Sequence, residues 1–325
     1  MKLKSLFLTL TTGMLVSCSS IGYVAYDRLQ PAQINFPAEV HRVGVLNAVP
    51  TGNEDLDDDG KMSGNGAIAV ESLAREIANT NYFDQVVVSD SVLRKESTFS
   101  AGLSPHEQDY FLKSLGVDML FVMNKVNVQL KKGELFLPEM PYPLPVIDGY
   151  VTPEVLVYVP ERTQPLYTIQ KTDTLFWEST HSLEADSVVK DVSEFAGVIP
   201  VRLLIPYWQE TIRPIFSDGN VTLRDAAFLV RENEWKEAAD LWTQVYEKAK
   251  GKLKYKAAYN LAVYTEYMGG DLNQVNAYLD VALGMVKKGS EDEAMMRTFK
   301  AEFERDFANQ QRLHVQMQRF ENKKE

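Results

Sequence analysis

A single cysteine, Cys18, occurs in the 325 residues, so no disulfide can close within one chain. Positive charge is also short: 34 Lys and Arg stand against 45 Asp and Glu, a formal charge of −11. A chain of that sign is repelled by phosphate backbones and anionic headgroups, which excludes a nucleic-acid binder held by a basic patch. Histidine is sparse too. His41, His106, His181 and His314 are scattered, with no H-x-x-x-H pair, and no G-x-S-x-G occurs. No catalytic constellation is written in the sequence, and the expectation is a protein that is not an enzyme. After the first residues no apolar run is long enough to cross a bilayer, which takes about 20 residues.

What is present starts with a basic pair, Lys2 and Lys4, an apolar run from Leu6 to Val16, and Leu15-Val16-Ser17-Cys18. A Cys closing such a segment resembles the lipobox of bacterial lipoproteins, where the thiol receives a diacylglycerol. Residues 1–17 are therefore expected to be a signal peptide and Cys18 the lipid-attachment site; an ordinary secretory signal is the alternative. Losing Lys2 and Lys4 would make the rest of the chain more acidic still. The membrane would then be met through lipid, with no contribution from surface charge.

Along the chain, apolar periodicity predicts an α/β domain over 18–216 with a mixed sheet and helices. Strands are expected over Gly22–Leu29, Ile34–Phe36, His41–Val49 and Phe83–Ser89. A helix follows Ala67, with Val70, Leu73, Ala74 and Ile77 on one face. Ser104-Pro105-His106-Glu107 has the capping Ser, the first-turn Pro and the third-position Glu of a capping box, and Gly116 closes that helix. In VDMLFVMNKVNVQL (117–130) the first half is uniformly apolar. The second half alternates Val126, Val128 and Leu130, which leaves one face wet. Leu137–Pro153 carries five of the 14 prolines and is expected to be loop. Val155–Val159, Leu166–Thr172 and Thr174–Glu178 read as antiparallel strands, and Val188–Phe216 as a long helix kinked by Pro200, Pro206 and Pro214.

After Asp218-Gly219 the pattern is helical and repeats. NEWKEA (233–238) and GDLNQV (270–275) lie 37 residues apart, each between two helical stretches. The segment 217–289 resembles tetratricopeptide repeats, whose period is 34 residues. The resemblance implies an all-α array with a concave face for a protein or peptide partner, and aligning the units places Arg231, Tyr259, Val263 and Tyr267 there. Trp235 and Trp242 read as core. Residues 290–325 are expected to form a capping helix and tail, with Met296, Phe299, Phe303 and Phe307 covering one end. The segment with Ile205, Trp208 and Ile212 should cover the other.

The lipobox, RLQPAQINFP, HRVGVLN, YFDQVVV, LGVDMLFV, DTLFWES and IPYWQETIRPIF together resemble an uncharacterised family of Bacteroides-type lipoproteins. That resemblance implies architecture and address but no activity. In such proteins acidic residues just after the Cys accompany surface display. Ser19-Ser20-Ile21-Gly22 are uncharged, so the periplasmic face of the outer membrane is expected.

The loop NEDLDDDGKMSGNG (53–66) is the centre of a second functional reading, a ligand-binding sensor or enzyme. Asp55, Asp57 and Asp59 fall at the first, third and fifth positions of a calcium loop, and Gly60 at its turn, but Gly66 stands where the bidentate Glu belongs. A solvated acidic loop is the weightier reading. Gly64-x-Gly66-x-x-Ala69 with Asp90 outlines a dinucleotide turn, yet an acidic insertion separates it from its strand and would repel a pyrophosphate. No cofactor is expected, with Ca²⁺ the one candidate.

Overall fold

A computed structural model describes residues 21–50, 56–93, 102–137, 139–179 and 185–321. In chain order its first elements are β1 (Ile21–Gln30), β2 (Arg42–Asn47), β3 (Lys61–Ser63), α1 (Gly66–Asn79), β4 (Gln85–Val92), α2 (Pro105–Leu115), β5 (Met119–Leu135) and β6 (Leu144–Tyr158). Then come β7 (Tyr167–Gln170), β8 (Asp173–Glu178), α3 (Ala185–Val198), α4 (Val201–Leu204) and β9 (Tyr207–Phe216). The remaining elements are helical: α5 (Val221–Arg231), α6 (Trp235–Lys248), α7 (Gly251–Tyr267), α8 (Leu272–Met285) and α9 (Glu291–Glu321). Among the described residues no helix is long and apolar enough to cross a membrane. Two compact units result. One comprises residues 29–208 and 309–321, the other 21–28 and 209–308.

The first unit is a mixed sheet with helices. Its strand order is β4-β2-β5-β6-β7, with β3 added to β5 and β8 to β6. The pairs β2–β4 and β2–β5 are parallel, while β5–β6, β6–β7 and β6–β8 are antiparallel. Strand β5 is buried on both faces at its start, which is why its sequence opens with an unbroken apolar run. Met119, Phe121 and Met123 join the core with α1 and α3, while Leu120 and Val122 pack with Leu112 of α2. Each such fully buried large side chain contributes roughly 1.5–3 kcal/mol. A register shift between Met123 and Lys125 then changes the phase, so that Val126 and Val128 take up the core side. Helix α2 is capped as the sequence predicts: Ser104 and Glu107 form the capping box, Pro105 stands in the first turn, and Gly116 ends the helix at φ 61.

The second unit is helical. Short turns join α5 to α6 and α7 to α8, with Asn233 (φ 64) in the first turn and an Asp271/Gln274 capping box opening α8. Strands β1 and β9 form a two-stranded sheet. Their Val24, Tyr26, Ile215 and Phe216 share one core with Tyr259, Val263, Trp235 and Trp242. Met296, Phe299 and Phe303 of α9 complete that core, while Phe307, expected with them, is half-buried and outside it.

Four expectations are corrected. The helix over Val188–Phe216 ends at Val198, and residues 207–216 are strand. In YWQETIRPIF Arg213, Ile215 and Phe216 are buried, and Pro214 is tolerated because a two-stranded sheet is all edge. The segment Leu137–Pro153 is loop only at its start, since β6 begins at Leu144. Alternation through Val151, Val155 and Val157 outweighs Pro153, which pairs with Val126 beside the register shift. Residues 34–36 form no strand. Nor does the Ile205 segment cap the helices: Ile205 is buried in the sheet unit, while Trp208 and Ile212 are 67% and 57% exposed. The compact units divide after residues 28, 208 and 308, with β1 and β9 packed on the helices of one and the end of α9 packed in the other.

Candidate functional site

The residues expected on a concave face separate. Arg231 is exposed at the end of α5, whereas Tyr259 and Val263 are fully buried in α7 and line no open groove. Tyr267 is half-buried, stacked on Trp235 at 4.2 Å between centroids and edge-on to Tyr26 at 5.4 Å. The chain's own strands occupy this side of α7. The Phe216 ring meets Tyr259 edge-on at 5.4 Å, and the Asn260 amide bonds the Phe216 backbone. Repeat phase alone could not reveal this.

Below it lies a buried charge network. Arg213 donates to Glu266 twice, Nε at 2.8 Å and Nη2 at 2.9 Å, and through Nη1 to Glu302 at 2.6 Å. Tyr26 donates its hydroxyl to Glu266 at 2.6 Å, and Arg28 donates to the same carboxylate at 2.5 Å. Burial works against the Arg213 charge, but the bonds to Glu266 outweigh it, so the guanidinium is held as a cation. Burial first, and then Glu266, push the Tyr26 phenol far above its ordinary range. With both oxygens of Glu266 engaged, the network ties β1 and β9 to α7.

The acidic loop closes a turn. The Asp57 carboxylate Oδ1 accepts from the N–H groups of Asp59 (3.0 Å) and Lys61 (2.7 Å), and Gly60 N–H returns to the Asp57 carbonyl. Asp59 faces Lys61 at 3.4 Å, and Asp55 and Cys18 lie outside the described residues. Among the described residues no group of three metal-ligating side chains converges. Gly66 serves packing: a Cβ there would stand 2.3 Å from Asn47 Oδ1. The Asn65 side chain caps α1 by accepting from Ala67 N (3.0 Å) and Ile68 N (3.2 Å), the amides a phosphate would need.

An open apolar surface lies elsewhere among the described residues. Strands β5 and β6 run out to a connection in which Phe136 is 73% exposed, Tyr142 68% and Met140 44%. The connecting sequence, FLPEMPYP, carries one charge, Glu139. Pro141 and Pro143 restrict the backbone and carry no N–H, so covering this end costs less conformational entropy and fewer unmet donors.

Comparison with protein families decides the affiliation. The chain belongs to the family described as Domain of unknown function (DUF8603), which matches residues 40–216. Residues 224–305 match a second one, Domain of unknown function (DUF6340). Curated proteins give no match. Among solved structures, the PelC dodecamer from Paraburkholderia phytofirmans is 13% identical, covering 56% of this chain and 97% of that one, at a TM-score of 0.26. Lipoprotein GNA1162 from Neisseria meningitidis is 13% identical, covering 46% and 94%, at 0.25. The hypothetical protein CT253 from Chlamydia trachomatis is 10% identical, covering 42% and 72%, at 0.24. These likenesses are too slight to transfer anything to this chain.

Proposed function

We propose that this chain is an outer-membrane lipoprotein, anchored through Cys18 at the periplasmic face, that binds an envelope protein or peptide and catalyses no reaction. The observation that carries this reading is the exposed apolar end of the β5–β6 hairpin. Three large side chains, Phe136, Met140 and Tyr142, stand in water there with one neighbouring acid. Clustered exposure of that kind marks interaction sites, whereas single exposed residues do not. The paired helices α5–α6 and α7–α8 support a tetratricopeptide-like reading of 217–289. Such arrays hold extended segments on one side, and here β1 and β9 already take that place, which directs a partner to the sheet unit.

A photo-crosslinking side chain at Tyr142, in cells carrying the full chain, tests the reading. We expect one discrete protein adduct, lost in Phe136→Asp. Adducts to lipid alone, or none, would sink it. Cys18→Ser should move the protein to the soluble periplasmic fraction, and digestion by protease added to intact cells would contradict the periplasmic face.

A further inference from the structure

The second half of β5 presents a surface that the partner-binding reading does not use. Beyond the register shift at Asn124, Lys125, Asn127, Gln129 and Lys131 alternate with the core-facing Val126 and Val128. Among the described residues Lys125, Asn127 and Lys131 are exposed and Gln129 is half-buried, so this side of the strand faces water. Register places Lys61 opposite Gln129 on β3, and Tyr150 opposite Gln129 on β6. Thr152 stands opposite Asn127. Directly opposed residues are about 5 Å apart at Cβ, and residues two apart on one strand about 7 Å. Gln129 is thus ringed by two lysines, an aromatic ring and a second amide, within the reach of one small ligand.

These groups line a groove of about 490 Å³. Among the described residues its wall has two lysines and no acid, although the chain as a whole is strongly acidic. Lys131 lies over the Tyr150 ring at 5.3 Å and has no carboxylate partner among the described residues. Lys61 meets only Asp59, at 3.4 Å, and both are largely exposed, so that pair holds weakly. Asp148, opposite Lys131 in the register, Glu154, 3.5 Å from Lys125, and Glu178, opposite Val146, share this face, and none of them lines the groove. The side-chain amides of Asn127 and Gln129 have no partner among the described residues. The hydroxyls of Thr152 and Thr172 meet each other at 2.8 Å and keep capacity for further bonds.

We propose that this groove binds a saccharide bearing a carboxylate. Amides beside hydroxyls supply donors and acceptors together, which is what vicinal sugar hydroxyls need. The Tyr150 ring offers a face to sugar C–H groups, and Lys61 and Lys131 receive the carboxylate. The apolar hairpin end suits a protein, whereas this wall of amide, hydroxyl and ammonium groups suits a hydrated, anionic, ring-shaped ligand. The two surfaces are independent, and failure of one leaves the other standing.

Calorimetric titration of the full chain with trigalacturonic acid, maltotriose and inorganic phosphate tests the assignment. Saturable binding of trigalacturonic acid is expected, with maltotriose and phosphate each weaker by at least about tenfold. Lys61→Ala with Lys131→Ala, and separately Gln129→Leu, should each weaken trigalacturonic acid by about tenfold or more. These side chains point to solvent, and an unchanged melting temperature would confirm that the variants fold. No saturable binding up to about 10 mM would overturn the proposal. So would equal binding by the lysine variant. Equal affinity for maltotriose removes the role of charge, and equal affinity for phosphate removes that of the sugar; either result overturns it.

Discussion

The side chain of Asn260 holds both backbone polar groups of Phe216. The Phe216 N–H donates to Asn260 Oδ1 at 2.8 Å, and Asn260 Nδ2 donates to the Phe216 carbonyl at 2.8 Å. Both residues are buried, so at this point a helix side chain supplies what a neighbouring strand would. Asn260→Ala should leave a donor and an acceptor unmet in the core, lowering stability by about 2–4 kcal/mol. Urea unfolding measures it. A loss under about 0.5 kcal/mol would mean that water or a shifted backbone replaces the amide.

Tyr26 and Tyr259 predict alkaline sensitivity. Burial is the leading cause that raises both phenols above the ordinary value; the Glu266 carboxylate adds to it in each, and Arg213 opposes. In the unfolded chain a tyrosine loses its proton near pH 10. Above that pH the unfolded state binds fewer protons than the folded state, so stability falls as pH rises, by up to about 1.4 kcal/mol per pH unit for each group. Below it their contribution is intact. Unfolding free energies between pH 8 and 11 should show the decline, and Tyr26→Phe and Tyr259→Phe should each flatten it. A slope that survives both replacements would assign the effect elsewhere. At neutral pH Tyr26→Phe should also cost about 1–3 kcal/mol, since Glu266 loses a donor where no water reaches it.

What the sequence reveals follows how local each signal is. The α2 cap is legible because Ser104, Pro105, Glu107 and Gly116 act within one helix. The wet second half of β5 is legible because Val126, Val128 and Leu130 alternate with polar residues. By contrast, Arg213 and Glu266 meet across 53 positions, and Tyr26 and Glu266 across 240, so neither spacing nor period announces them. For the same reason Tyr259 and Val263 read as a surface when β1 and β9 make them core. The sheet-face groove was hidden in part: its wet face was visible, but placing Lys61 and Tyr150 on either side of Gln129 takes the register of three strands.

Asp57 should matter through its turn. Asp57→Asn keeps an acceptor for the Asp59 and Lys61 amides, while Asp57→Ala removes it and should cost about 1 kcal/mol. Melting curves with millimolar calcium and with chelator should coincide for all three proteins. A calcium-dependent rise confined to the native chain would instead give the loop the metal role suggested by the spacing of Asp55, Asp57 and Asp59.

In the sheet unit the end of α9 acts as a peg. Gln316 bonds Ala32 through both its backbone N–H (2.9 Å) and carbonyl (3.1 Å), and reaches the Ile34 carbonyl at 2.9 Å. Arg319 donates to the Val40 carbonyl at 2.5 Å and lies over the rings of Tyr82 (4.3 Å) and Phe83 (5.0 Å). A planar guanidinium can stack and donate at once, which an ammonium cannot. Arg319→Lys should therefore destabilise by at least about 1 kcal/mol, close to the loss from Arg319→Ala. Full retention of stability by the lysine variant would show that charge alone holds the peg.

Residues 219–289 should not fold by themselves. That fragment keeps α5 to α8 but loses Val24, Tyr26, Ile215 and Phe216 from the strands and Met296, Phe299 and Phe303 from α9. All seven are buried side chains packed in one core with Tyr259 and Val263. Without them the inner side of α7 would present an apolar face to water and leave Glu266, buried and held by Arg213 and Arg28, without either guanidinium. Uncovering a face of that size favours aggregation over a unique fold. Thermal unfolding followed by circular dichroism, with sedimentation to report association, should give a broad transition and oligomers. Residues 209–308 restore β9 and the first part of α9, and should recover part of the cooperativity, the remainder requiring β1. A sharp, monomeric transition from 219–289 would show that the four helices are sufficient, and that β1, β9 and α9 cover a core already complete.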